Sequence, residues 1–300
     1  MAPNVTKEAV LGIPARGAAG VSAEGSTTLV RHTISPQPPP LGERLRELSQ
    51  SRDLYVLLVG RELQVRYKQT ALGVIWVLLQ PLVPAIIFAV VFGAFARLPS
   101  AGAPYLLFAL SGLVIYGLFS SAVSRAGASL IRDGQLITKI YFPRAVLPLA
   151  SGSAGLVDFL VGFAVVLALM AAFGYWPTAA FLAIPLIIAL TLALALALGL
   201  AVAALSAHYR DFGHLVPFVL QLLLYGSPVA YSMEILPSSL ANVYALNPLV
   251  PLIEAFRWSL LGTPPPTVDQ IVLGSASGLV MVVVGILVFS RASRDMADVI

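Results

Sequence analysis

The sequence predicts an all-α integral membrane fold with six transmembrane helices, and three observations predict it. Hydrophobic residues make up 58% of the chain and charged residues only 11%, at a mean hydropathy of +0.90. Soluble domains carry about a quarter charged residues, so water is not the main solvent of this chain. Apolar runs recur at the length of about 20 residues that crosses a bilayer as a helix, the element that satisfies its backbone polar groups internally. Lys and Arg, finally, crowd into segments that alternate with those runs: no charged residue lies between Lys68 and Arg97.

In chain order, residues 1–40 lack the continuous apolar core of a secretory signal. They are rich in Ala, Gly, Ser and Pro and end in SPQPPP, and they read as a disordered tail. Residues 41–69 mix charge with leucine. Leu41, Leu45 and Leu48 fall at helical spacing with Glu43, Arg44 and Arg46 on other faces, the pattern of an amphipathic helix lying in the interface. Residues 70–292 form the six-span domain, with spans at about 71–96, 105–124, 146–173, 178–206, 215–232 and 268–290. Pro81 and Pro84 are expected to kink the first. Gly274 and Gly278 in the sixth stand at GxxxG spacing, read as close packing inside one subunit ahead of dimerisation. Residues 233–266 are too apolar for an ordinary exterior loop and are broken by Pro237, Pro248 and Pro251. A re-entrant or interfacial helical pair fits them. Residues 293–300 form a short C-terminal tail.

Charge sets the orientation. With both termini in the cytoplasm, 16 of the 18 Lys and Arg lie inside, including Arg125, Arg132, Lys139 and Arg144 of the 125–144 loop. Arg97 and Arg257 are left outside. A pI near 9.5 is thus a signal of topology, and no nucleic-acid partner is expected.

Several chemistries find no support. The chain has no cysteine, which excludes disulfides and thiolate metal sites. His208 and His214 fall on different faces of one helix, His32 is remote, and no metal site is expected. No DxD, HExxH or GxSxG motif is present, and no GxxxxGK[ST] phosphate loop. If the protein moves cargo with ATP, the ATPase is another chain. Asp158 is the one acid well inside a predicted span. Such a carboxyl is a functional candidate by default; the competing reading is a group that hydrogen-bonds a neighbouring helix.

Three stretches carry a family resemblance: RELQVRYKQTALGVIWVLLQPLVPAIIFAVVFG (61–93), GQLITKIYFPRAVLPLAS (134–151) and YRDFGHLVPFVLQLLLYGSPVAYS (209–232), with LNPLVPLIEAFRW (246–258) beside them. They resemble the type-2 ABC transporter permeases that export O-antigen, teichoic acid and related polysaccharides, over about residues 45–290. The resemblance implies a bacterial inner-membrane transport subunit rather than an enzyme. It implies a homodimer bound to two copies of a cytoplasmic ABC ATPase, with ATP and Mg held by that partner and no cofactor on this chain. The implied cargo is a glycan on a polyprenyl pyrophosphate lipid. An exporter of a drug or lipid, and a membrane glycosyltransferase on the same carrier, are the alternatives.

By the same resemblance residues 130–144 form the segment that seats in the ATPase. Leu136, Ile137, Lys139, Ile140, Tyr141, Phe142 and Arg144 would carry the contact and Tyr209, Arg210 and Asp211 a smaller one. Exposed apolar groups in a cytoplasmic loop want a partner. Arg61, Arg66 and Lys68 are candidates for a lipid pyrophosphate, or for plain headgroup anchoring, because guanidinium and ammonium groups match phosphate oxygens. Phe88, Phe92 and Phe95, at helical spacing on one face, and Phe218 and Tyr225 are candidates for a channel lining on which sugar rings slide; packing in the core or against lipid is the competing reading.

Overall fold

The computed structural model describes residues 51–68, 73–134, 143–209 and 211–295. The N-terminal tail, the Leu41–Leu48 repeat, Leu136–Phe142, Arg210 and the last five residues lie outside them. The described residues are helical, with no strand among them.

Ten α-helices follow in order: α1 (Arg52–Lys68), α2 (Gly73–Phe88), α3 (Tyr105–Arg132), α4 (Val146–Ser153), α5 (Gly155–Ala172), α6 (Ile184–His208), α7 (Phe212–Tyr225), α8 (Ser238–Ala245), α9 (Leu249–Leu261) and α10 (Val268–Asp295). Among the described residues, five helical stretches are long and apolar enough to cross a membrane: 75–95, 105–132, 146–172, 179–208 and 268–292. They coincide with the first, second, third, fourth and sixth predicted spans. The fifth predicted span, 215–232, is helical only through Tyr225, and Phe212–Tyr225 is too short for that class.

The reason lies in the backbone after Tyr225. Residues 226–232 leave the helix, and side chains from elsewhere occupy their carbonyls. Arg257 donates to the oxygens of Pro228 and Val229, each at 2.5 Å, and the Tyr105 hydroxyl donates to that of Ala230. Non-helical backbone in apolar surroundings is tolerated where protein groups satisfy it in this way. Hydropathy counts side chains and is blind to this substitution.

The helix α3 is the hub. In its most apolar stretch 78% of residues are buried, against 11% for α2 and 11% for α10. It packs against α6, α4, α5, α2 and α9, while α10 lies on α6. Small residues let the backbones approach, as they do where lipid supplies no hydrophobic drive between helices. A Cβ on Gly199 of α6 would meet the Ala126 methyl of α3 at 2.5 Å, and one on Gly285 of α10 would meet the Ala197 carbonyl oxygen at 2.4 Å. The Gly274 and Gly278 pair packs inside the subunit: added Cβ atoms would meet Pro251 at 2.4 Å and Pro248 at 3.3 Å.

Two sequence expectations change in detail. The second span does not end at 124. Its helix runs to Arg132, so Arg125 and Arg132 are helical residues rather than loop residues. α2 passes through Pro81 and Pro84 as an α-helix and then changes to a π-helix at Ala89–Phe95. The wider turns show as Ala96 N–H donating to Val91 O at 2.9 Å, five residues back. Residues 233–266 do form a helical pair, α8 and α9, both too short to span. Asn247 joins them: its Oδ1 accepts from Leu249 N–H at 3.0 Å at the start of α9, while its Nδ2 donates to Ser227 Oγ at 2.9 Å. Gly262, at φ +68°, closes α9 in the left-handed conformation that glycine adopts without strain.

Candidate functional site

A cluster of charged and hydroxyl side chains forms where α1, the end of α3 and the last turn of α4 meet. Asp133 terminates α3, its backbone N–H donating to Ser129 O at 3.0 Å. Its side chain is nearly buried, which calls for paired cations. Arg61 of α1 donates from Nη2 to Asp133 Oδ1 at 2.9 Å, and Arg132 donates from Nε and Nη2 to Oδ2, each at 3.1 Å. Arg132 also pairs with Glu62 of α1. Ser151 of α4 donates to Glu62 Oε1 at 2.9 Å, and about two turns earlier on α1 Tyr55 donates to Ser153 Oγ at 2.6 Å. Arg61 and Glu62, adjacent on α1, thus reach Asp133 and Arg132, adjacent at the end of α3.

This cluster ties together the two stems of the segment 135–142, since α3 ends just before it and α4 begins just after. Leu136, Ile137, Lys139, Ile140, Tyr141 and Phe142 lie outside the described residues. Arg144, on the α4 side, is half-buried and has an interaction partner. Of the second predicted patch, Tyr209 and Asp211 are exposed and Arg210 lies outside the described residues. Arg66 and Lys68 sit in the last turns of α1, and their side chains are not among those described. Arg61 is committed to Asp133, the geometry of a strut between helices.

The aromatic candidates divide. Phe88 and Phe92 face each other with ring centroids 5.5 Å apart, and Phe88 packs on the core. Phe95 is 81% exposed. The π-helical turns between them explain the split, because they advance fewer degrees per residue than an α-helix and break the shared face that α-helical spacing implies. Phe218 and Tyr225 of α7 are exposed.

Asp158 has the basic partner that its span alone did not offer: Arg125 of α3 donates to its Oδ2 at 2.6 Å, both side chains about 15% exposed. Sequence reading placed Arg125 in a loop, so the pair went unseen; the i, i+4 continuation of the α3 pattern past Ser124 was the signal that would have found it.

Arg257 corrects a second reading. Counted by charge it is an exterior cation; in the structure it is 1% exposed. Its guanidinium donates to Phe108 O at 3.1 Å as well as to Pro228 and Val229, and its Cζ sits 3.6 Å from the centre of the Phe108 ring. Arginine's planar fork suits several acceptors at once, and an aromatic face adds cation–π attraction. Beside this cage Tyr231 bonds Tyr244 through their hydroxyls at 3.2 Å.

The described residues thus combine five helices of membrane-crossing length with an ion-paired cluster where α1, α3 and α4 meet. Residues 53–261 match the model of the ABC-2 type transporter family. The chain belongs to that family. It is 30% identical over 257 residues to the O-antigen export system permease protein RfbA of Myxococcus xanthus, covering 85% of this chain and 98% of that one. It is 26% identical over 249 residues to the protein of the same name from Klebsiella pneumoniae, covering 83% of this chain and 95% of that one.

Proposed function

We propose that this chain is the membrane-spanning subunit of an ATP-driven exporter that carries polyprenyl-pyrophosphate-linked polysaccharide of the O-antigen type across the bacterial inner membrane. One observation carries the reading: relatives named for O-antigen export align with it over 95% or more of their own length. The subunit works as a homodimer with two copies of a cytoplasmic ABC ATPase that binds ATP and Mg. Both termini are cytoplasmic, α7 with the turn after it completes a sixth crossing, α8 and α9 form a re-entrant pair, and α1 lies in the interface.

The segment 130–144 seats in the ATPase in this scheme, with Tyr209, Arg210 and Asp211 as a smaller contact. The geometry supports such coupling through the Arg61–Asp133 and Glu62–Arg132 pairs. A push on the segment reaches α1, α3 and α4 together, because the ion pairs between α1 and α3 and the Ser151 hydrogen bond from α4 to Glu62 resist their separation. ATP hydrolysis in the partner thereby tilts the buried hub of the bundle, and the exposed rings of Phe95, Phe218 and Tyr225 offer stacking faces to the passing glycan.

Depletion of the protein, followed by sizing of polyprenyl-linked glycan on the two sides of the membrane, tests the reading. Finished polymer accumulates inside and disappears from the surface. Loss of polymer on both sides assigns the chain to synthesis instead, as for a glycosyltransferase, and unchanged glycan removes polysaccharide as the cargo.

A further inference from the structure

A polar stripe runs along one face of α3 through Gly117, Ser120, Ser121, Ser124 and Arg125, positions three and four apart that a helix stacks on one side. The stripe borders a cavity of about 470 Å³ bounded by α2, α3, α5 and α7. That volume falls within the roughly 300–1,000 Å³ of small-ligand sites. Gln80 and the Arg125–Asp158 pair complete its polar side, and Pro81, Val114 and Phe159 provide an apolar wall.

The chemistry of this lining selects among ligands. The Arg125 charge is balanced by Asp158 at 2.6 Å, so an anion meets little net attraction here and would compete with a carboxylate already in place. What the lining offers is donors and acceptors side by side. Arginine has five N–H donors, more than its bond to Asp158 uses. The hydroxyls of Ser120 and Ser121 donate to Gly117 O and Leu118 O of their own helix, each at 3.3 Å, which leaves their oxygens as acceptors. The Gln80 amide carries both functions. A ring that bears hydroxyls on its edge and C–H groups on its face matches the polar side and the apolar wall together. Gly117 leaves space along the stripe, since a Cβ there would meet nothing within 4 Å.

We infer that this cavity is a binding site for an uncharged sugar residue presented by a membrane lipid, with Ser120, Ser121, Ser124, Gln80 and the Arg125–Asp158 pair reading its hydroxyls. The inference rests on the export reading for its biological cargo, yet its chemistry is testable without any export assay.

The experiment uses the full chain in phospholipid nanodiscs and three probes that differ only in headgroup: a hexadecyl glucoside, hexadecanol and hexadecyl phosphate, with binding followed by native mass spectrometry. The expected result is that the glucoside binds at least about tenfold more tightly than the alcohol and more tightly than the phosphate. Gly117→Leu, which fills the cavity without a backbone clash, abolishes the preference and leaves alcohol binding unchanged. The double variant Ser120→Ala with Ser124→Ala, which keeps the ion pair, weakens glucoside binding about fivefold, as expected for lost hydrogen bonds of modest net strength. Equal binding of glucoside and alcohol, a preference for the phosphate, or a glucoside preference untouched by Gly117→Leu each overturns the site. No glucoside preference in nanodiscs, with surface glycan still lost on depletion of the chain, overturns the site alone. A retained preference with surface glycan unaffected by depletion overturns the export reading alone.

Discussion

Arg257 shows how one side chain can hold a non-helical stretch of an apolar protein together. Three backbone oxygens from α3 and the turn after α7 accept from its guanidinium, and the Phe108 ring lies against it. A buried acceptor stripped of its donor costs about 1–3 kcal/mol, and Arg257→Met strips three. We expect Arg257→Met to lower stability by about 3 kcal/mol or more, read as a large fall in the thermal midpoint of the detergent-solubilised chain. Arg257→Lys recovers only part of it, because a single ammonium lacks the fork that meets separated carbonyls. An unchanged midpoint in the methionine variant would remove the cage from the account of the fold. The role was not legible in the sequence. Phe108 stands 149 residues from Arg257, and a hydropathy window reads an arginine as a reason to leave the bilayer. Asp158 was singled out as the one acid well inside a predicted span. Its partner was missed because the same logic ended the second span just before Arg125.

At the scale of elements, sequence reading succeeded where the apolar pattern alone determines the outcome. The starts of α3 at Tyr105 and α10 at Val268 fall where the predicted spans begin, because Pro104 in the first case and a proline run in the second stop whatever precedes them. The packing role of Gly274 and Gly278 was also legible, since small residues four apart on an apolar helix have few other uses. Patterning carries no trace of the π-helix at Ala89–Phe95, which depends on a choice of hydrogen-bond partner, and Phe95 was therefore placed on a face it does not share. Gly285 offers the sharpest test at this scale. A valine there drives its Cβ against the Ala197 backbone, which cannot rotate aside as a side chain can. Gly285→Val is expected to part α10 from α6 and to cost about 2 kcal/mol, in the range of overpacked cores. Gly213→Ala, where an added Cβ meets open space, serves as the matched control and shifts the thermal midpoint little.

For the whole molecule, the absence of cysteine makes topology directly measurable. Single cysteines in place of Thr178 and Thr267 are expected to react with a membrane-impermeant maleimide in intact cells. Those in place of Tyr209 and Asp211 are expected to react only after permeabilisation. The reverse pattern would invert the orientation derived from Lys and Arg. Much of the helical pattern was legible at this scale, since five of the six predicted spans coincide with helices long and apolar enough to cross a membrane, and apolar length is a property of segments rather than of contacts. The candidate site was less so. The apolar residues between Leu136 and Phe142 were chosen by type alone and lie outside the described residues, whereas the network of Arg61, Glu62, Arg132, Asp133 and Ser151 joins positions up to 89 residues apart and exists only once α1 has docked.

The guanidinium cage also has a consequence for the order in which the chain is made. Phe108 and the 226–232 turn leave the ribosome before Arg257 does, so the acceptors are waiting when the cation arrives, and neither α10 nor the C-terminal tail is needed to close the cage. A nascent chain halted soon after Leu261 already holds its most costly buried charge neutralised by protein dipoles. One that has misplaced α3 or the turn exposes a bare arginine to lipid, a lesion that membrane quality control can recognise before synthesis ends.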